Sequence, residues 1–161
     1  MKRIILSFLF ISIPILLVVF IANQKLLSQA NERKEQKEQK EQGIMFTESS
    51  WNKVLQEAKK QNKLIFIDAY ASWCGPCRML KRNTFPDKKA GYFFNKNFIN
   101  TTIDMEQGEG VILSQKFGVE AYPTLIIADT NGIPVAYTKG YITPQQLIEF
   151  GQFGLNKYMK K

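Results

Sequence analysis

Histidine is absent from all 161 residues of the chain. That one absence removes Ser-His and Cys-His catalysis, His-ligated zinc and c-type haem attachment. Cysteine is scarce as well: Cys74 and Cys77 are the only two. A multi-disulfide scaffold is therefore impossible, and whatever the two sulfurs do they do as a pair. No Gly-rich phosphate loop occurs, so no flavin or nucleotide cofactor is expected. Basic residues are in excess, 22 Lys+Arg against 14 Asp+Glu for a net charge of +8, but no dense basic run carries the excess. Lys59-Lys60, Lys88-Lys89 and Lys160-Lys161 are scattered, whereas a nucleic-acid footprint needs clustered cations interleaved with aromatics. A soluble basic surface with no nucleic-acid partner is the expectation. Hydrophobic content of 45% excludes disorder throughout, and the length suits one domain plus something small.

The small part is N-terminal. Met1-Lys2-Arg3 precedes an apolar run from Ile4 to Ala22, broken only by Ser7, Ser12 and Pro14. As a helix this run would reach about 28 Å, close to the thickness of a bilayer's hydrocarbon core. A cleaved signal peptide has a shorter apolar stretch ending near small residues. Here the small-x-small match, Ser28-Gln29-Ala30, lies well past the end. An uncleaved transmembrane signal anchor over residues 1–25 fits better, with a signal peptide as the alternative. Lys2 and Arg3 favour a cytoplasmic N-terminus, so the rest of the chain is expected outside the cytoplasmic membrane, on its periplasmic side. Residues 26–42 include NERKEQKEQKEQ, which has no apolar position to bury and no seam for a coiled coil. They read as a charged polar stalk.

From residue 43 to 161 strands and helices alternate. Ile44-Met45-Phe46 is a weak first strand. Ser49 or Ser50 can cap a helix whose Trp51, Val54, Leu55 and Ala58 recur at helical spacing. Lys63–Ala71 is a strongly apolar strand, and a helix should run from the Cys74–Cys77 turn toward Asn83. A short helical piece follows around Ala90–Asn95, then a strand over Phe98–Ile103 and a helix over Gly110–Phe117. Pro123–Ala128 and Ile133–Thr138 flank an Asp-Thr-Asn-Gly turn as a hairpin, and Thr143-Pro144 opens the last helix. A βαβ half followed by a ββα half predicts an α/β fold, a central mixed β-sheet flanked by helices.

The chemistry concentrates in Asp68–Arg78, DAYASWCGPCR. Two thiols separated by two residues can close a disulfide and reopen it with little backbone motion. Gly75 supplies a tight turn and Pro76 suits a helix's first turn. Cys74 then lies at a helix N-terminus, where free N–H groups stabilise a thiolate, and Cys77 lies one turn in, shielded. Cys74 is thus the expected nucleophile and Cys77 the resolving thiol. As half of a zinc site the pair finds no other Cys and no His in the chain, and so short a loop gains little stability from closure. Asp68 interrupts the apolar run six residues before Cys74, on the face of Phe66 and Tyr70. A carboxyl among apolar neighbours titrates high, which suits a proton acceptor near neutrality.

Trp73–Cys77 (WCGPC), Asp68 upstream and Tyr122-Pro123-Thr124 downstream resemble the thioredoxin superfamily over about residues 44–158. The resemblance implies a thioredoxin fold and a redox-active Cys74–Cys77 disulfide working without a cofactor or metal. It also implies that Pro123 is cis beside the sulfurs and that Tyr122 offers its backbone to a bound peptide. Trp73 would shield the sulfurs and, with Gly75 and Pro76, offer contact surface, while Gly140 would lie near the peptide groove. Thioredoxins carry a lysine near the buried aspartate, on the strand matching Phe98–Ile103; the expected equivalent here is Asn100, which is uncharged. Asn83–Asp87 and the aromatic stretch to Phe98 are more similar to the C-terminal domain of bacterial membrane thiol–disulfide interchange proteins.

These readings predict an envelope thiol–disulfide oxidoreductase that reduces protein disulfides and is recharged by a membrane dithiol donor. Two alternatives stay open: a thiol oxidase or disulfide isomerase using the same site, and a tethered peptide-binding module in which the cysteines are incidental.

Overall fold

The computed structural model describes residues 17, 19–34 and 42–160. The chain divides into two units, Met1–Glu38 and Gln39–Lys161. In the first, residues 19–34 are helical and exposed. Most of the expected anchor lies outside the described residues, as do residues 35–41 of the expected stalk. Among the described residues no helix is long and apolar enough to cross a membrane.

The second unit holds a four-stranded sheet: β1 (Leu64–Tyr70), β2 (Phe98–Asp104), β3 (Thr124–Ala128) and β4 (Pro134–Lys139), in the spatial order β2-β1-β3-β4. β1 and β2 are parallel, while β3 runs antiparallel to both β1 and β4, so the sheet is mixed, as expected. Helices cover both faces: α1 (Trp51–Gln61), α2 (Gly75–Met79), α3 (Lys88–Asn97), α4 (Gly110–Phe117) and α5 (Pro144–Met159). Strand alternation sends Ile65, Ile67 and Ala69 to one face, with Ile126, beneath Trp51 and Val54 of α1 and Leu113 and Phe117 of α4. Leu64 and Phe66 go to the other face with Leu125 and Ile127, against Leu80, Phe94 and Leu147. β1 is buried on both sides, which is why it reads as a nearly continuous apolar run. Its one polar interruption, Asp68, is 1% exposed.

Four local expectations need correction. Ile44–Phe46 forms no strand; the sheet edge carries a single bridge, Thr47 to Thr101. Side-chain amides replace the ladder: Asn95 accepts from the Met45 N–H and donates to the Gly43 carbonyl, and Asn100 donates to the Met45 carbonyl. Ser50 precedes α1 but makes no side-chain cap bond; Glu109 instead accepts the Trp51 N–H at 2.8 Å. The helix after the cysteines does not run as α-helix to Asn83. It passes at Leu80 into a π-helical turn, Leu80–Thr84, which the buried Thr84 ties to the Ile142 carbonyl at 2.7 Å. The helical piece placed around Ala90–Asn95 is longer, capped by the Asp87 side chain at the Lys89 and Ala90 N–H groups. At the C-terminal end Thr143 and Gln146 form a reciprocal capping box that starts α5.

Candidate active site

The end of β1 hands the chain to Cys74, the N-cap of α2. Cys74 and Cys77 are joined by a disulfide, with Cα atoms 5.3 Å apart. The Cys77 N–H donates to Cys74 Sγ at 3.1 Å. A cap side chain that accepts a backbone N–H takes on negative charge easily, so this sulfur is the one favoured as thiolate. Both cysteines are buried in this disulfide form, 1% and 2% exposed, so burial does not separate attacker from resolver; the N–H bond does. Pro76 occupies the first turn as expected. Gly75 is not needed for a tight turn: its φ is not positive, and an added Cβ would meet only the Arg78 guanidinium at 3.9 Å.

Aromatic side chains close around the sulfurs. Tyr70 and Tyr122 pack against Ala71, Cys74 and Cys77. Trp73 stands 65% exposed, edge-on to Tyr122 with ring centroids 5.9 Å apart. Its indole N–H donates to Glu106 at 2.8 Å, and Arg78 donates to its carbonyl. The Tyr122–Pro123 peptide is cis, and Pro123 is buried. Register brings Gly140 to the same place: Thr124 pairs with Lys139, and the Gly140 N–H donates to the Pro123 carbonyl at 2.8 Å. Gly140 has φ +86°, a conformation that a side chain would strain.

Asp68 lies behind this surface. One carboxylate oxygen accepts from Thr102 at 3.2 Å, and the other, buried, has no hydrogen-bond partner among the described residues. Burial pushes the carboxyl up from the ordinary 3.8 to about 6, against the lowering pull of the Lys81 ammonium and the Thr102 bond. Asn100, expected to stand where thioredoxins have lysine, does not face it. The parallel register sets Asp68 opposite Thr102 and Asn100 opposite Phe66. The nearby cation is Lys81, from the π-helical turn. Lys81 and Thr102 were not among the expected site residues. Lys81 had a signal, since it lies one helical turn past Cys77; Thr102 had none, because parallel register is not readable from sequence. Asp68, Lys81 and Thr102 line a cleft of about 450 Å³ together with Phe85 and residues 42–46. Among the described residues no cluster of three or more metal-ligating side chains occurs.

The chain is similar to known proteins. A model of the thioredoxin-like domain matches residues 51–154. Thioredoxin H4 of Arabidopsis thaliana is 39% identical over 80 residues, half of this chain and 63% of its own length. The thiol:disulfide interchange protein DsbD of Yersinia pestis is 28% identical over 95 residues, 57% of this chain but 16% of that longer protein. A candidate disulphide-isomerase from Bacteroides thetaiotaomicron, solved in solution, superposes with a TM-score of 0.64 at 38% identity. That match covers 71% of this chain and 94% of the other. The chain thus spans less than two thirds of the curated thioredoxin it matches. Such proteins use a redox-active disulfide without a cofactor. The family model covers well over half of the sequence, and the chain belongs to the thioredoxin-like domain family.

Proposed function

We propose that this protein is a protein-disulfide reductase of the cell envelope. The observation that carries the reading is the Cys74–Cys77 pair at the head of α2, with Cys74 Sγ on a backbone N–H and an acid on the adjoining strand. In the reduced protein the Cys74 thiolate attacks one sulfur of a substrate disulfide. A Cys74–substrate mixed disulfide forms and the substrate's other sulfur leaves as thiolate. Asp68 accepts the proton of Cys77, directly or through a water. The new thiolate attacks Cys74 Sγ, re-forming the Cys74–Cys77 disulfide and releasing the second substrate sulfur. Two electrons pass to the substrate, and Asp68 returns its proton to solvent or to a released thiolate. A dithiol donor restores the reduced pair and is itself oxidised to a disulfide. Trp73, Tyr122, Pro123 and Gly140 form the surface on which a substrate segment rests.

The apolar run after Lys2-Arg3, and the likeness to a domain of DsbD, support attachment to the cytoplasmic membrane with the domain on its outer side and a membrane dithiol as donor. Protease added to intact spheroplasts should digest the domain; digestion only after lysis contradicts that placement. For the chemistry, the full chain in detergent with dithiothreitol should accelerate insulin disulfide reduction. C74S should abolish it, and C77S should accumulate a mixed disulfide. Undiminished function in C74S would mean a binding module instead. The likeness to a candidate disulphide-isomerase favours a second reading, isomerisation. It would be selected if the full chain reactivates scrambled ribonuclease yet fails to reduce insulin.

A further inference from the structure

The Lys81 ammonium lies 3.6 Å from the centre of the Tyr70 ring, a seat that a cation holds by attraction to the ring face. The same Tyr70 packs against the buried cluster of Ala71, Cys74 and Cys77. Lys81 also shares with Asp68 the cleft that reaches the buried carboxylate. Its position is set by the π-helical turn, which begins one residue earlier at Leu80. π-Turns inside helices frequently mark functional sites, because the extra residue re-aims the side chains that follow. Asn100, the uncharged β2 residue expected where thioredoxins carry lysine, is bonded to the Met45 carbonyl and to Asn95.

We propose that Lys81 is a positioning residue for proton transfer at the dithiol, its cation held over Tyr70 so that Asp68 is ready to accept the Cys77 proton. The proposal rests on the reading of Asp68 as that acceptor. The groups around Asp68 come from four elements. Tyr70 lies on its own strand, with Thr102 and Asp104 on β2 and Lys81 on the π-helical turn; Glu48, on the segment before α1, also lines the cleft. Lys81 is the one cation among them, so its removal acts in one direction. An uncharged neighbour leaves the buried carboxylate harder to ionise, and the acid limb of the reaction moves to higher pH. Lys81 is exposed, so salt weakens its influence.

The test compares wild type, K81M, K81R and D68N in the full chain. Two readouts are taken: titration of the Asp68 carboxyl carbon by NMR, assigned with D68N, and the pH profile of insulin reduction. K81M should raise both midpoints by about one pH unit, so that turnover near pH 6 falls about fivefold. K81R should restore both, and the gap between wild type and K81M should shrink in 1 M salt. Slowed D68N together with an unmoved K81M profile overturns the Lys81 assignment alone, whether or not the carboxyl titration moves. A D68N variant with wild-type turnover and profile removes the reading of Asp68, and the proposal with it.

Discussion

Replacing Asp68 with asparagine takes a charge out of the densest part of the molecule, and its effect on stability can be worked out in advance. The carboxyl titrates at about 6 in the fold against an ordinary 3.8. Its folded value is the higher one, so between about pH 4 and 6 the folded chain holds more of this proton than the unfolded chain. Stability therefore falls as pH rises through that window and levels off above it. The difference corresponds to about 3 kcal/mol at neutral pH, since one pH unit is worth about 1.4 kcal/mol. The asparagine amide keeps the polar atoms and leaves one unpaired, so part of this is not recovered; a gain of about 2 kcal/mol at pH 7 is expected. Urea unfolding of the oxidised full chain, wild type beside D68N, reads the number directly. At about pH 3.5 both side chains are neutral in the fold and the gain should vanish. A D68N protein no more stable than wild type at pH 7, or a gain equal at both pH values, would refute the argument that desolvation governs this carboxyl.

Three further outcomes follow from the geometry. C77S should retain substrate proteins as mixed disulfides that dithiothreitol releases, seen as reducible bands on a gel, whereas C74S should retain none. Gly91→Ala should destabilise the domain by about 2 kcal/mol or more, because the new Cβ would run into the backbone of Gln42 and Gly43 with no flexible side chain to yield; denaturant midpoints would show it. Thr143→Ala removes the cap of α5 and should cost about 1 kcal/mol while leaving insulin reduction unchanged.

Much of this molecule is legible in its sequence, for identifiable reasons. β1 declares itself by an apolar run bounded by Lys63 and by the cysteine turn, and α5 by Thr143-Pro144 with Gln146 three residues on. The reading of Asp68 as a high-titrating carboxyl came from its apolar neighbours in β1, and its burial in the fold accounts for the shift. What could not be read was which partner each side chain meets across the sheet. The register of a parallel pair depends on how far the intervening chain travels, so Thr102 as the partner of Asp68 was out of reach. The π-helical turn was hidden for a related reason. Its last residue, Thr84, bonds to the Ile142 carbonyl, 58 residues away, and no local pattern announces such a tie. The Ile44–Phe46 segment looks like a strand but loses its ladder to two asparagine side chains that are remote from it in sequence.

The direction of electron flow is the claim on which the proposed function stands, and the reduction potential of Cys74–Cys77 tests it most directly. The full chain would be equilibrated in glutathione and dithiothreitol buffers and the reduced fraction read by thiol alkylation. A reductase should show a potential near thioredoxin's own, about −270 mV, or lower. A value between about −180 and −120 mV, the range of disulfide isomerases and oxidants, would contradict the account and reverse the flow of electrons.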